Sequence, residues 1–81
     1  MKQIPLTQGK YALVDDSDFE WLNQWKWNYN NGYARRIKEI NKTREIIYMH
    51  RFILKINKEK VCDHINGNGL DNRRENLRSC T

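Results

Sequence analysis

Apolar and polar residues alternate over short runs along most of this chain, and no run is long. The stretch "QIPLTQGKYALVDD" holds one strand-like segment, a Gln8-Gly9 turn, and a second strand-like segment from Tyr11 to Val14, which predicts a hairpin. Ser17 then stands three residues before Glu20 in a capping-box arrangement. With apolar Phe19, Trp21 and Leu22, this spacing predicts a short helix from Ser17 to about Gln24. "KWNYNNGYARRIKEI" reads as two strands around Asn30-Asn31-Gly32, because the Asn-Gly pair readily supplies the positive φ of a tight hairpin turn. A third strand follows Asn41-Lys42 in "TREIIYM", so Trp25 to Met49 is expected to form a three-stranded antiparallel sheet with the helix over one face. "MHRFIL" opens a short helix, in which His50 is expected to be structural rather than catalytic, and "KINKEK" is a connector. Val61 to Ile65 and Asn76 to Cys80 are the strands of a last hairpin across a loop carrying Gly67 and Gly69. The expected class is α+β: a small three-stranded antiparallel sheet with a short helix, followed by this hairpin.

At 81 residues the chain supports one domain, with a part from 1 to 56 and the hairpin part from 57 to 81. A core this small needs large side chains, so most of Trp21, Trp25, Trp27, Tyr29, Tyr33 and Tyr48 are expected to pack, with one or two tyrosines at the surface. Fifteen Lys and Arg against ten Asp and Glu give a net charge of +5, which favours a polyanionic partner. The excess is concentrated between residues 35 and 60, where Arg35, Arg36, Lys38 and Arg44 lie on the expected sheet. Cys62 and Cys80 match no Cys-x-x-Cys zinc pair and make no disulfide framework. No leader or long apolar span is evident, so the expectation is a soluble, cytoplasmic protein with free thiols and no membrane partner.

The chemistry concentrates in "KVCDHINGNGLDNRRENLR". The final hairpin delivers Asp63 and His64 to the end of its first strand and brings Asn76 back beside them. A carboxylate can hold a hard divalent cation, and a neutral imidazole can take a proton from water, which together suit phosphodiester hydrolysis. Asp63 is the expected metal ligand and His64 the expected base. One His64 nitrogen must then stay free while the other donates to a backbone or amide oxygen. Asn76 could supply that oxygen or brace the loop. Arg73, Arg74 and Arg78 read equally as solvated loop charges and as contacts to phosphates flanking the cut.

"CDHINGNGLDNRRENLRSC" resembles the HNH endonuclease motif in the form found in homing endonucleases of mobile introns and in phage proteins. Asp63-His64 matches its Asp-His and Asn76 its central Asn, and "NGYARR…IIYMHRFIL" is similar to the region preceding the motif. The resemblance implies a ββα-metal fold, one Mg²⁺-class ion (Mn²⁺ being the alternative), double-stranded DNA as substrate, and ends bearing 3′-hydroxyl and 5′-phosphate. It also implies a phage or mobile-element context. In the family a helix after the second strand supplies a second protein ligand to the metal; the expected start of that helix is near Thr81, so the motif reads as truncated there. Asn68, Asp71 and Asn72 are the loop residues that could stand in. Without the helix, the hairpin's apolar face at Ile65, Leu70 and Leu77 is expected to be poorly covered, leading to a frayed C-terminus or to self-association. The alternative to a nuclease is a DNA-binding module that does not cleave.

Overall fold

The computed structural model describes residues 1–55 and 61–80. Their order is β1 (Lys2–Pro5), β2 (Tyr11–Val14), α1 (Asp16–Leu22), β3 (Asn28–Asn30), β4 (Tyr33–Ile40), β5 (Thr43–Tyr48), α2 (Met49–Leu54), β6 (Val61–His64) and β7 (Leu77–Cys80). The class is α+β: β1–β2, β3–β4–β5 and β6–β7 form three small antiparallel sheets around two short helices. The turns expected from the sequence are formed at Asn31-Gly32, φ 50° and 87°, and at Asn41-Lys42, φ 49° and 68°. Both turns place two successive residues at positive φ, the backbone twist that suits a tight hairpin. Most of the connector "KINKEK" lies outside the described residues.

No sheet here is large enough to stand alone, so all of them share one core. Ile4, Ala12 and Val14 of the first hairpin, Leu22 of α1, Trp27, Ala34 of β4, Met49 and Ile53 of α2 and Leu77 of β7 are all buried in it. Trp21, Trp25 and Phe52 pack against this cluster, while Tyr11 and Tyr33 are the tyrosines left exposed. The final hairpin is better covered than its sequence suggests. Leu77 is core, Leu70 packs on the core, and β6 and β7 pair from Val61↔Cys80 to His64↔Leu77, while Val61 and Ile65 face solvent.

The helix α1 begins one residue earlier than expected. Asp15, in extended conformation, is its N-cap position, and Asp16 and Asp18 fill the first turn, where carboxylates favour the positive helix end. Ser17 lies inside the helix and forms no capping box with Glu20. Asp15 instead accepts the backbone N–H of Arg74 at 3.1 Å, turning a cap residue into a tertiary anchor.

That anchor is one of three that tie the loop between β6 and β7 to the N-terminal half. The Leu13 N–H donates to Leu70 O at 2.8 Å and the Asn72 N–H to Leu13 O at 2.7 Å, a one-residue parallel bridge between β2 and the loop. Arg74 Nε and Nη2 each donate to the Asp18 carboxylate at 2.9 Å, and Asp18 also accepts Trp21 Nε1–H at 3.0 Å. Asp18 is buried while Arg74 is half-exposed. The Arg74 guanidinium holds the Asp18 carboxyl below its ordinary value.

Removing Arg74 leaves a buried carboxylate with one neutral donor. Arg74→Ala should lower the unfolding free energy by about 1–3 kcal/mol at pH 7 in urea titrations. Because the folded pKa of Asp18 is depressed, the stabilisation is present above the usual carboxylate range and is lost as pH falls through the lowered value. The gap between parent and variant should therefore shrink below about pH 4.

Candidate active site

Strand alternation separates the two residues that β6 delivers. Asp63 points out to solvent and His64 points inward, 7% exposed. Arg78 is the cross-strand neighbour of Asp63, and its Nη2 meets Asp63 Oδ2 at 2.6 Å. His64 Nε2 donates its proton to Asn72 Oδ1 at 2.8 Å, since an amide oxygen can only accept. In the neutral ring this bond selects the Nε2–H tautomer, in which Nδ1 is the acceptor nitrogen.

Asn72 is fully buried and its own amide nitrogen has no hydrogen-bond partner among the described residues. Its position comes from the backbone bond to Leu13 rather than from its side chain. Asn76 has a different job from orienting His64. Its Oδ1 accepts the Asn66 N–H at 3.1 Å, and its Nδ2 donates to Asn66 Oδ1 at 3.0 Å and Asp71 O at 2.9 Å. Asn66 Nδ2 in turn donates to Asp71 Oδ2 at 2.9 Å. Asn76 is thus the hub that closes the loop, directly behind the histidine.

The basic residues singled out from sequence fall into distinct places. Arg73 is engaged by Asp71 at 2.7 and 2.8 Å and by Glu75 at 2.9 Å, and this contact keeps the buried Asp71 carboxyl below its ordinary value. Arg74 is held by Asp18. Arg36 lies over the Trp25 ring, 4.2 Å from its centroid, with Trp27 and Phe52 at 5.6 and 5.5 Å. On β4, Arg35 shares a face with Tyr33, and its cross-strand neighbour is Tyr48; Arg36 and Lys38 belong to the opposite face. Arg44 is exposed, 3.3 Å from Glu39. Among the described residues no three His, Cys, Asp or Glu side chains converge as a metal cage. Asp63 is the exposed carboxylate beside His64, and one such group suits a hard cation that keeps most of its waters.

The structure brings together two residues that the sequence separates widely. The His50 ring centroid lies 4.7 Å from that of His64, with Tyr33 5.5 Å from His50 and 5.9 Å from His64, and Tyr48 5.7 Å from His50. His50 is buried, and its Nδ1 has no hydrogen-bond partner among the described residues. The role of Asn72 was the other omission. It carried a local signal, an amide in a polar loop after the histidine, but nothing in the linear order distinguishes it from Asn66, Asn68 or Asn76.

Burial, and secondarily the neighbouring His64, push the His50 imidazole down to about 4. An unfolded histidine titrates near 6.5, so the unfolded chain binds this proton first. His50 therefore contributes full stability above about pH 6.5 and loses it progressively down to about pH 4. A His50→Phe variant should lack most of this loss, on the order of 3 kcal/mol in the parent, when unfolding is followed between pH 7 and pH 4.

Among the described residues no helix is long and apolar enough to cross a membrane. Comparison with curated proteins and with solved structures finds no match. The family model of the HNH endonucleases matches residues 48–81, a span that contains α2 with His50, the Asp63-His64 pair, the loop and Asn76. This segment of the chain is similar to the HNH endonucleases.

Proposed function

We propose that the protein is a metal-dependent DNA endonuclease that hydrolyses phosphodiester bonds. The observation that carries this reading is the buried His64 Nε2–H to Asn72 Oδ1 bond, which in the neutral ring keeps Nδ1 as the acceptor, with the exposed carboxylate of Asp63 one residue earlier on the same strand. His64 Nδ1 takes a proton from water, and the oxygen of that water attacks the phosphorus as the bond to the leaving oxygen breaks. The leaving oxygen takes its proton from solvent. Asp63 would hold a Mg²⁺ or Mn²⁺ ion, which when bound offsets charge on the phosphate and the departing oxygen. Asn76 keeps the loop closed so that His64 and Asp63 stay in register.

Double-stranded DNA is the substrate we infer, held by the basic sheet. Arg35 and Arg44 lie on the sheet face that carries Tyr33 and Tyr48, and these tyrosines flank the histidine pair. Lys38 and Arg36 lie on the other face; Arg73, Arg74 and Arg78 surround the catalytic hairpin and are partnered by carboxylates. The likeness to homing endonucleases and phage proteins supports an intracellular setting of that kind.

A second reading is a DNA-binding module that does not cut. It is favoured by the Asp63–Arg78 ion pair, which occupies one oxygen of the proposed ligand. The two readings separate in one assay, nicking of supercoiled plasmid with Mg²⁺ or Mn²⁺. The nuclease reading expects metal-dependent nicking that falls by roughly 100-fold or more in His64→Ala with DNA affinity retained. Asn72→Ala should lower the rate as much as roughly 100-fold, since it frees the ring to rotate. Salt-sensitive DNA binding with no nicking at any metal concentration would establish the second reading instead.

A further inference from the structure

Beside the catalytic hairpin lies an open cleft of about 310 Å³ that none of the preceding steps uses. Lys10 from the first hairpin, Tyr29 and Tyr33 from the β3–β4 hairpin, and Asn68 and Gly69 from the β6–β7 loop form its walls. The width is set by a close approach at Gly69. A Cβ there would stand 2.2 Å from Gly32 O and 2.8 Å from the Tyr33 ring, so only glycine lets the loop and the hairpin meet this closely.

The chemistry of the walls is selective. Lys10 Nζ is held 5.5 Å from the Tyr29 ring centroid, and no carboxylate lines the cleft among the described residues. The β1–β2 turn places this ammonium on the loop side of the molecule. Two phenol rings, an ammonium and side-chain amides together match a ligand with one negative charge, one flat ring and hydrogen-bonding edges. The volume is at the low end of small-ligand sites, roughly 300–1,000 Å³, which admits a single nucleotide and not a duplex. Tyr33 belongs to both places, since its ring borders the cleft and lies 5.9 Å from His64.

We propose that the cleft holds one unpaired nucleotide of the DNA strand next to the scissile phosphate, its phosphate on Lys10 and its base against Tyr29 and Tyr33. The position relative to the cut rests on the nuclease reading; the binding itself does not. Drawing a base out of the stack costs least where pairing is already weak, so the cleft would favour strands that are frayed or mismatched beside the cut.

The test uses the full chain and a four-thymidine single-stranded oligonucleotide, followed by amide chemical shifts and by fluorescence anisotropy of a labelled copy. Shifts are expected at Lys10, Tyr29, Tyr33 and Gly67 to Leu70. Lys10→Ala should reduce the slope of log affinity against log salt by about 0.7, the value for one phosphate contact on a single strand. Tyr29→Leu, which keeps the backbone bond from Tyr29 N–H to Thr7 Oγ1, should weaken binding by roughly fivefold or more. Lys2→Ala, an equal charge loss at the far end of the first hairpin, should leave the shifted residues unchanged. Shifts that avoid the cleft, or a Lys10→Ala slope equal to that of the parent, would overturn the proposal. Oligonucleotide in the cleft without plasmid nicking would sink the nuclease reading alone, and nicking with an empty cleft would sink this one alone.

Discussion

One hydrogen bond gives the candidate site its direction: His64 Nε2–H to Asn72 Oδ1, 2.8 Å long and buried. An imidazole free to rotate presents either nitrogen, whereas one donating to a fixed amide oxygen presents only its Nδ1 lone pair. The oxygen is fixed because the Asn72 backbone is bonded to Leu13 on β2, and because Arg74, two residues on, is clamped by Asp15 and Asp18. The first hairpin and α1 are thus a scaffold for the last loop. Asn76, Asn66 and Asp71 close that loop on itself, so the direction of the histidine is set at both ends.

The arrangement has a thermodynamic cost located around the same ring. Asn72 Nδ2 and His50 Nδ1 are buried without partners among the described residues, and each such group typically costs about 1–3 kcal/mol. In a domain of this size the core is small, and those terms are a large part of a marginal stability. A leucine at position 50 would pack without that penalty. Retaining polar groups here is what a site does when its chemistry constrains the surrounding residues more than stability does.

Much of this was legible in the sequence where the physics is local. Asn31-Gly32 and Asn41-Lys42 mark their turns because positive φ is a property of single residues, and Asp63-His64 with Asn76 stands out because hairpin pairing links them at short range. The partner of His64 was not legible. Four asparagines share the loop, and the choice of Asn72 depends on a bridge to Leu13, which is fifty-nine residues away in the chain. His50 likewise read as a structural residue of a short helix, and its place beside His64 follows from how α2 packs against the final hairpin. The cover over Leu77 was underestimated for the same reason, because the first hairpin, which carries Ile4, Ala12 and Val14, contributes to a core that no local pattern displays.

The central claim is that the neutral His64 ring is the Nε2–H tautomer with Nδ1 as acceptor, and nitrogen chemical shifts of the histidine rings read this directly. At neutral pH, long-range proton–nitrogen correlation spectra of the labelled protein should show His64 with a protonated Nε2 and an unprotonated Nδ1. In Asn72→Ala the two shifts should move toward the average of exchanging tautomers. A protonated Nδ1 in the parent, or averaged shifts there, would contradict the account.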